Sequence, residues 1–201
     1  MGDIMKERCA TINRKTNETD ISITINLDGS GKADIDTGIG FFDHMLNSFA
    51  KHGFFDLTVK CKGDLYVDSH HTIEDVGIVL GQAIKKALGD KAGIRRYAGF
   101  MMPMDEALIA AAVDLSGRPY LVYDLSLDAP ILGTFDTEMV KEFFYAVSYS
   151  AEMNINIKQI TGSNTHHIIE AAFKGFANAL SLAVGYDPRL NGGVLSTKGS
   201  I

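Results

Sequence analysis

Two copies of a His-His-x-x-Glu pattern are the part of the sequence best suited to chemistry. They are His70-His71-Thr72-Ile73-Glu74 and His166-His167-Ile168-Ile169-Glu170, offset by 96 residues (166 − 70 and 170 − 74). Each copy opens a predicted amphipathic helix, in which the first histidine and the glutamate share a face. The second histidines, rotated by about 100°, can serve a different site. Imidazoles with a carboxylate and no thiolate suit Mn, Fe, Zn or Ni, so the repeat predicts two metal sites with a twofold relationship.

Two further histidines lie in a mainly apolar stretch. His44 falls within Phe41-Phe42-Asp43-His44-Met45-Leu46, and His52 precedes Gly53 at the end of the same predicted helix. Alone, each is explained by an ordinary helix position or a capping role. A lone His-His pair is also commonly structural. Two copies at matching positions of a repeat favour metal ligation for the paired histidines and glutamates.

The elements that must hold these residues form a repeat. In the first half, Ile21, Ile23, Ile25 and Leu27 alternate with polar residues, which predicts a strand. The first half continues with a short returning strand (33–36), a helix (41–53), a strand (55–61) and a helix (70–88). The second half repeats this order, with strands near 108–115 and 121–127, a helix from about 137, a strand (155–160) and a helix from 166. We therefore predict an α+β fold of duplicated β-β-β-α-β-α units, with two mostly antiparallel sheets packed around a layer of four helices.

We expect the halves to span residues 1–92 and 93–186, followed by a polar tail at 187–201, in one compact unit. The 201-residue chain has a net charge of −6 and no Lys/Arg run, so nucleic acid is not an expected partner. There is no apolar run of about 18 residues, and Met1 to Ala10 lack the apolar core of a signal peptide. We expect no membrane partner. The two cysteines suit a reducing compartment, which favours a cytoplasmic protein.

Four motifs occurring in order give the sequence a specific resemblance to the imidazoleglycerol-phosphate dehydratase family. They are Gly40-Phe41-Phe42-Asp43-His44-Met45-Leu46, Asp68-Ser69-His70-His71-Thr72-Ile73-Glu74-Asp75, Asp114-Leu115-Ser116-Gly117-Arg118-Pro119 and Asn164-Thr165-His166-His167-Ile168-Ile169-Glu170-Ala171. The resemblance extends from Arg14 to Gly199 and so covers nearly the whole chain.

This resemblance implies a dimanganese enzyme that dehydrates imidazole glycerol phosphate to imidazole acetol phosphate in L-histidine biosynthesis. The implied metal ligands are His44, His70, His71, Glu74, His166, His167 and Glu170. Helix geometry suggests that one ion takes His44, His70, Glu74 and His167, and that the partner ion takes His166, Glu170 and His71. The family's usual eighth ligand is a histidine, but Asn156 stands at that position. An amide oxygen binds a borderline ion more weakly than imidazole, so we expect two Mn²⁺ per subunit with a weakened or water-completed second site.

The reaction itself explains the need for metal. The proton to be lost lies on a carbon with no adjacent carbonyl, so the imidazole ring must serve as the electron sink. Two metals holding an imidazolate through its ring nitrogens allow the hydroxyl to leave through a diazafulvene-like intermediate. Proton transfer also needs a positioned acid or base. The family pattern points to Glu18, which also contacts substrate, and Glu170 is the second candidate.

The substrate phosphate needs polar and cationic partners. Arg96, Arg118, Ser196 and Lys198 match the family's phosphate-binding positions, although each charge alone would be explained by ordinary solvation. We also expect His52 to line the substrate pocket, and phosphate to order the tail.

The family forms assemblies of twenty-four subunits built from trimers, with metal sites at subunit interfaces. The resemblance therefore implies a homo-oligomer. Two other readings stay open. One is a hydrolase that uses a metal-bound water; the other is a metal-storage or scaffold protein, which would need no phosphate cluster.

Overall fold

The computed structural model describes residues 8–200 and contains two halves of matching topology. The first half comprises β1 (Cys9–Lys15), β2 (Thr19–Asn26), β3 (Ala33–Asp36), α1 (Gly40–Gly53), β4 (Asp56–Gly63) and α2 (His70–Leu88). The second comprises β5 (Tyr97–Met104), β6 (Ala107–Asp114), β7 (Tyr120–Asp124), a small hairpin of β8 (Ile131–Leu132) and β9 (Phe135–Asp136), α3 (Met139–Ala151), β10 (Asn154–Thr161) and α4 (Thr165–Val184). The predicted α+β duplication is confirmed, and the hairpin is an addition that the periodicity did not reveal.

The two sheets have the same strand order. The first runs β1-β2-β4-β3 and the second runs β5-β6-β10-β7. In both sheets the last pair is parallel and the others are antiparallel. This corrects the expectation that segment 33–36 returns beside the preceding strand, because β4 pairs between β2 and β3. The parallel pairs form because a helix, α1 or α3, carries the chain across between their strands.

The four helices form the layer between the sheets, and each helix packs against one from the other half. α1 lies along α4, and α2 lies along α3. Two glycines allow the second contact, because a Cβ on Gly77 would lie 2.9 Å from the carbonyl oxygen of Phe143 and one on Gly81 would lie 2.8 Å from that of Val147. Stacked rings fill the interior, with Phe143 and Phe173 centroids 5.1 Å apart. The helix layer therefore fixes which helix starts face one another.

The segment after α4 folds back onto the start of the second half. The backbone N–H of Gly93 donates to Gly193 at 2.9 Å, and that of Asp187 donates to Gly93 at 2.8 Å. The predicted segments 1–92 and 187–201 include residues 1–7 and Ile201, which lie outside the described residues, as does most of the stretch examined for a signal peptide. Within residues 8–200, no helix is long and apolar enough to cross a bilayer.

Candidate active site

One cluster of metal-binding side chains lies where α1 meets α4. His44, His166 and Glu170 each offer a ligand atom, and these atoms all lie within 4.8 Å of one another. The Glu170 Oε2 atom is 3.1 Å from His166 Nε2 and 3.3 Å from His44 Nε2. Edge-on contact with Phe41, at 5.1 Å between ring centroids, supports the His166 ring. Two imidazole nitrogens and a carboxylate oxygen converging in this way fit a borderline divalent ion.

This cluster changes the predicted grouping of the ligands. The sequence placed His44 with His70 and Glu74, whereas within this chain His44 contacts Glu170 and faces His166. The physical reason is the helix layer, in which α1 packs along α4. The twofold pattern of the sequence cannot show which helices become neighbours.

Glu170 is the buried member of the cluster. Its side chain is only 9% exposed, and Lys174 Nζ lies 2.6 Å from its Oε1 atom. Burial raises the pKa of Glu170, but the hydrogen bond and charge of Lys174, with smaller contributions from His166 and His44, outweigh burial and leave the pKa below its usual range. Glu170 is therefore an ionised carboxylate, which suits a ligand better than a proton donor.

The other His/Glu pair lies at the start of α2. His70 Nε2 and Glu74 Oε2 are 3.6 Å apart, as their i,i+4 spacing predicts, and both side chains are more than two-fifths exposed. His70 lines a cavity of about 310 Å³, and Asp136 and Glu138 from the second half line it as well. Among the described residues this pair has no third metal-binding side chain close enough to form a cluster like that of His44.

The second histidine of each pair lies between two carboxylates. His71 Nδ1 is 3.0 Å from Asp64, and its Nε2 is 3.8 Å from Glu18. His167 Nδ1 is 2.7 Å from Glu106, and its Nε2 is 3.6 Å from Asp105. Hydrogen bonds to Asp64 and Glu106 raise the pKa of His71 and His167 above the usual range, and the contact with His167 lowers the pKa of Glu106 to about 2.

Three of these carboxylates, Asp64, Asp105 and Glu106, were absent from the sequence-based site. A signal for Glu106 was available, because it directly precedes β6 just as Glu18 directly precedes β2. Asp64 had no such signal, since it follows β4 in what reads as a plain Gly-Asp turn. Glu18 itself, on the β1–β2 turn, is half-exposed and close to His71.

His52 lies two turns after His44 on α1. Burial, followed by the charge of Lys174, lowers its pKa below the usual range. The charge of Glu170 acts on this ring in the opposite direction and raises its pKa, but by less than burial and Lys174 lower it.

Three of the predicted phosphate residues, Arg96, Ser196 and Lys198, lie in or against the tail, and Arg118 lies in the turn between β6 and β7. Arg96 donates to both carboxylate oxygens of Asp114, at 2.8 and 3.1 Å, and to the carbonyl of Leu195 at 2.8 Å. These bonds use three of the five N–H groups of the guanidinium and hold the tail just before Ser196. Within residues 8–200, Arg118 and Lys198 form no ion pair with a carboxylate. Ser196 Oγ accepts from the Lys198 backbone N–H at 3.2 Å, so the two residues share one turn.

Asn156 lies on the outer face of the second sheet, away from the helices. It is exposed and pairs with Ala112 and Val122 in the neighbouring strands. Ile155 and Ile157, on either side of it, point into the core. The side chain of Asn156 therefore faces away from the helix starts that carry the paired histidines of its own chain.

Comparison with known proteins gives a consistent result. The model of the imidazoleglycerol-phosphate dehydratase family matches residues 37–180. The dehydratase of Lachnoclostridium phytofermentans is 67% identical over 96% of this chain and 98% of its own length, and that of Acetivibrio thermocellus is 60% identical over 97% and 100%. The crystal structure of the Staphylococcus aureus dehydratase superposes with a TM-score of 0.81 at 41% identity, covering 89% of this chain and 99% of that one.

A crystal structure of the Pyrococcus furiosus enzyme, in complex with (S)-C348, also gives a TM-score of 0.81, at 36% identity and with 94% and 100% of the two chains covered. The residues matched by the family model include the cluster of His44, His166 and Glu170 and both His-His-x-x-Glu copies. On this evidence, together with the strand order and the converging side chains, the chain belongs to the imidazoleglycerol-phosphate dehydratase family.

Proposed function

We propose that this protein removes water from imidazole glycerol phosphate to give imidazole acetol phosphate, using two Mn²⁺ ions held by residues from more than one copy of the chain. The reaction class follows from family membership: the chain is a hydro-lyase of L-histidine biosynthesis. The observation that carries the proposal is the convergence of His44, His166 and Glu170 to within 4.8 Å. The cytoplasm is the compartment expected for such an enzyme.

The residues present fit a metal-dependent elimination. His44, His166 and Glu170 would hold one ion, and His70 with Glu74 would contribute to another, completed by His71 and His167. Divalent ions bound there would supply Lewis-acid polarisation and a fixed orientation for the substrate ring. The imidazole ring of the substrate then accepts the electron pair released when the carbon-bound proton is removed, and the hydroxyl leaves through a diazafulvene-type intermediate.

Glu18 is the residue we assign to proton transfer. It is half-exposed and lies 3.8 Å from His71 Nε2, so it can exchange protons with solvent while remaining at the site. The backbone N–H of Asp64 donates to the Glu18 carbonyl at 3.1 Å, which holds the β1–β2 turn next to the start of α2. Glu170 is the weaker candidate, because Lys174 and two histidines already surround its carboxylate.

Phosphate binding is assigned to the tail region. Arg118 and Lys198 are available as cations, and Arg96 retains two N–H groups after its bonds to Asp114 and Leu195. Ser196 adds a hydroxyl to the same turn. We also assign to His52, two turns after His44 on α1, a contact with the substrate.

Assembly into a homo-oligomer, of twenty-four subunits in this proposal, is supported by the outer face of the second sheet. A groove of about 430 Å³ there is lined mainly by small and apolar residues, including Gly99, Met101, Ala110, Ala112 and Val122. Met101 is 51% exposed and Val122 is 42% exposed. Burial of this face between copies removes apolar surface from water, and it would also bring the exposed histidine pairs of one chain towards residues of another.

The test is the disappearance of imidazole glycerol phosphate after metal removal and after Mn²⁺ is added back. We expect activity to be lost and then restored, and we expect His166→Asn to reduce turnover more than about 100-fold at saturating Mn²⁺. Asp34→Asn is a control, because Asp34 is an exposed residue of the edge strand β3 whose ion-pair partner within residues 8–200 is Lys60. Turnover of an ester or amide without loss of imidazole glycerol phosphate would instead identify a hydrolase. A storage protein would bind Mn²⁺ stoichiometrically and show neither dehydratase nor hydrolase activity. Its Mn²⁺ binding would be unaffected by Arg118→Ala and Lys198→Ala.

A further inference from the structure

The second histidines of the two pairs share one arrangement. In each ring, Nδ1 is in hydrogen-bond contact with a carboxylate, at 3.0 Å for His71 and 2.7 Å for His167. At Nε2 the nearest carboxylate is further away, at 3.8 and 3.6 Å respectively. The carboxylate at Nδ1 must accept, because an ionised carboxylate has no proton to give. Both rings therefore carry a proton on Nδ1, so in the neutral imidazole the lone pair lies on Nε2.

The carboxylates that produce this arrangement come from different places in the repeat. Asp64 follows β4, and the residue that follows the matching strand β10 is Gly162, which has no side chain to offer. Glu106 precedes β6, and the residue at the matching place before β2 is Glu18, which faces Nε2 and not Nδ1. Duplication alone would have given matching partners. The same ring environment built from unmatched positions indicates that the orientation of these rings is required.

The carboxylate at His167 is held by backbone N–H groups, and the carboxylate at His71 is nearly buried. The Oε1 atom of Glu106 accepts backbone N–H groups of Ser163 and Asn164, at 3.1 and 2.8 Å, so Oε2 is left for His167. The side chain of Asp64 is 12% exposed, and both of its oxygens lie within 3.2 Å of His71 Nδ1. A fixed acceptor restricts the rotation of the imidazole ring as well as its tautomer.

We infer that Asp64 and Glu106 are positioning residues, which fix the Nδ1–H tautomer of His71 and His167 so that Nε2 can bind a metal ion. This inference rests on the proposed function, in which both histidines are metal ligands. Partners of this kind set ring orientation and basicity, and their loss typically reduces metal affinity about 10- to 100-fold.

The two carboxylates respond differently to amide substitution, which gives a sharp test. In Glu106→Gln, the single amide oxygen is already required by the N–H groups of Ser163 and Asn164, so the NH₂ group faces His167 Nδ1 and favours the opposite tautomer. In Asp64→Asn, the side chain has no second partner among residues 8–200 and can turn its oxygen towards His71. We expect Mn²⁺ affinity to fall about 10- to 100-fold for Glu106→Gln and for Asp64→Ala, and less than about 3-fold for Asp64→Asn.

The measurement is Mn²⁺ titration of the metal-stripped full-length protein, with free Mn²⁺ followed by electron paramagnetic resonance and the unfolding midpoint recorded for each variant. Glu152→Gln serves as a control, because Glu152 pairs with Lys85 at 2.5 Å and contacts neither histidine pair. Equal affinities for Glu106→Gln, Asp64→Ala and wild type would overturn the inference, as would an equal loss for Asp64→Asn and Asp64→Ala. If Glu106→Gln does not fold, the Asp64 pair decides alone. If His71→Ala and His167→Ala themselves leave Mn²⁺ binding unchanged, the ligand assignment of the proposed function fails, and the positioning role fails with it.

Discussion

The two halves of the chain have the same strand order and the same helix pairing, but they carry different side chains at matching positions. α1 brings His44 to the His166–Glu170 pair of the other half, whereas α3, its counterpart, contains no histidine to bring to His70 and Glu74. One pair therefore becomes a three-residue cluster and the other stays a pair. The duplicated backbone supplies two equivalent places for a site, and the side chains make them unequal within one chain.

The outer faces of the two sheets also carry different side chains. The first sheet carries ion pairs between Lys15 and Asp20 and between Lys60 and Asp34, which suit contact with water. The second carries the ion pair of Lys158 and Asp124 at the border of an apolar groove that includes Ala110 and Ala112. Charged residues are depleted at the centres of protein interfaces. The difference supports our proposal that the second sheet is the face used for assembly, and that His70 and Glu74 gain their missing ligands from another copy.

The largest expected effect compares the two glutamates. Glu170→Gln removes a carboxylate that is 9% exposed and leaves Lys174, 18% exposed, without its charge partner. We expect turnover to fall more than about 100-fold and the free energy of unfolding to fall by about 2 kcal/mol in metal-free protein. Glu74→Gln should also reduce turnover strongly, but its exposed side chain should change metal-free stability by less than about 0.5 kcal/mol. Denaturant unfolding of the metal-stripped variants, beside the activity assay, measures both quantities.

Equal stability losses for these two variants would contradict the difference drawn between a buried, ion-paired ligand and an exposed one. A turnover loss confined to Glu170→Gln would instead mean that His70 and Glu74 play no part in the reaction.

A smaller effect is expected at Asn156, where the family pattern has a histidine. Because an imidazole binds Mn²⁺ more strongly than an amide, Asn156→His should tighten the weaker of two sites about 10-fold. Lys158→His is a matched control, since Lys158 lies two residues along on the same outer face and pairs with Asp124. Two equally tight sites in the wild-type protein, by Mn²⁺ titration, would show that Asn156 does not weaken binding.

Much of the fold was readable from the sequence because local periodicity determines it. The helix predicted over 70–88 is α2 at His70–Leu88, and the pattern from 166 became α4. Contacts between distant elements were not readable. The pairing of α1 with α4 depends on contacts between residues far apart in the chain, such as Phe49 and Phe176, whose ring centroids are 5.5 Å apart. The sequence therefore could not show that His44 lies beside His166 and Glu170 within this chain.

The candidate site shows the same division. Its histidines and glutamates were visible because they repeat at a fixed offset, and the family motifs marked Glu18 and the phosphate residues. Asp64 and Glu106 were missed because a carboxylate in a turn is common, and only the folded structure brings one to the Nδ1 atom of a histidine. The insertion of β4 between β2 and β3 was missed for a related reason, since hydrophobic alternation gives a strand its faces but not its neighbours.

The smallest expected effect compares the starts of the two histidine-bearing helices. The side chain of Asn164 caps α4 by accepting the backbone N–H groups of His166 and His167, whereas Ser69, at the same place before α2, makes no side-chain cap. Asn164→Ala should therefore lower the free energy of unfolding by about 1 kcal/mol, and Ser69→Ala should change it by only a few tenths. At α2 the backbone N–H of His70 instead donates to Asp68 Oδ1 at 2.8 Å. Asp68→Ala should therefore lower the free energy of unfolding about as much as Asn164→Ala does. Denaturant unfolding of the three variants in metal-free protein checks this, because a loss for Ser69→Ala as large as that for Asn164→Ala would mean that the two helix starts are stabilised alike.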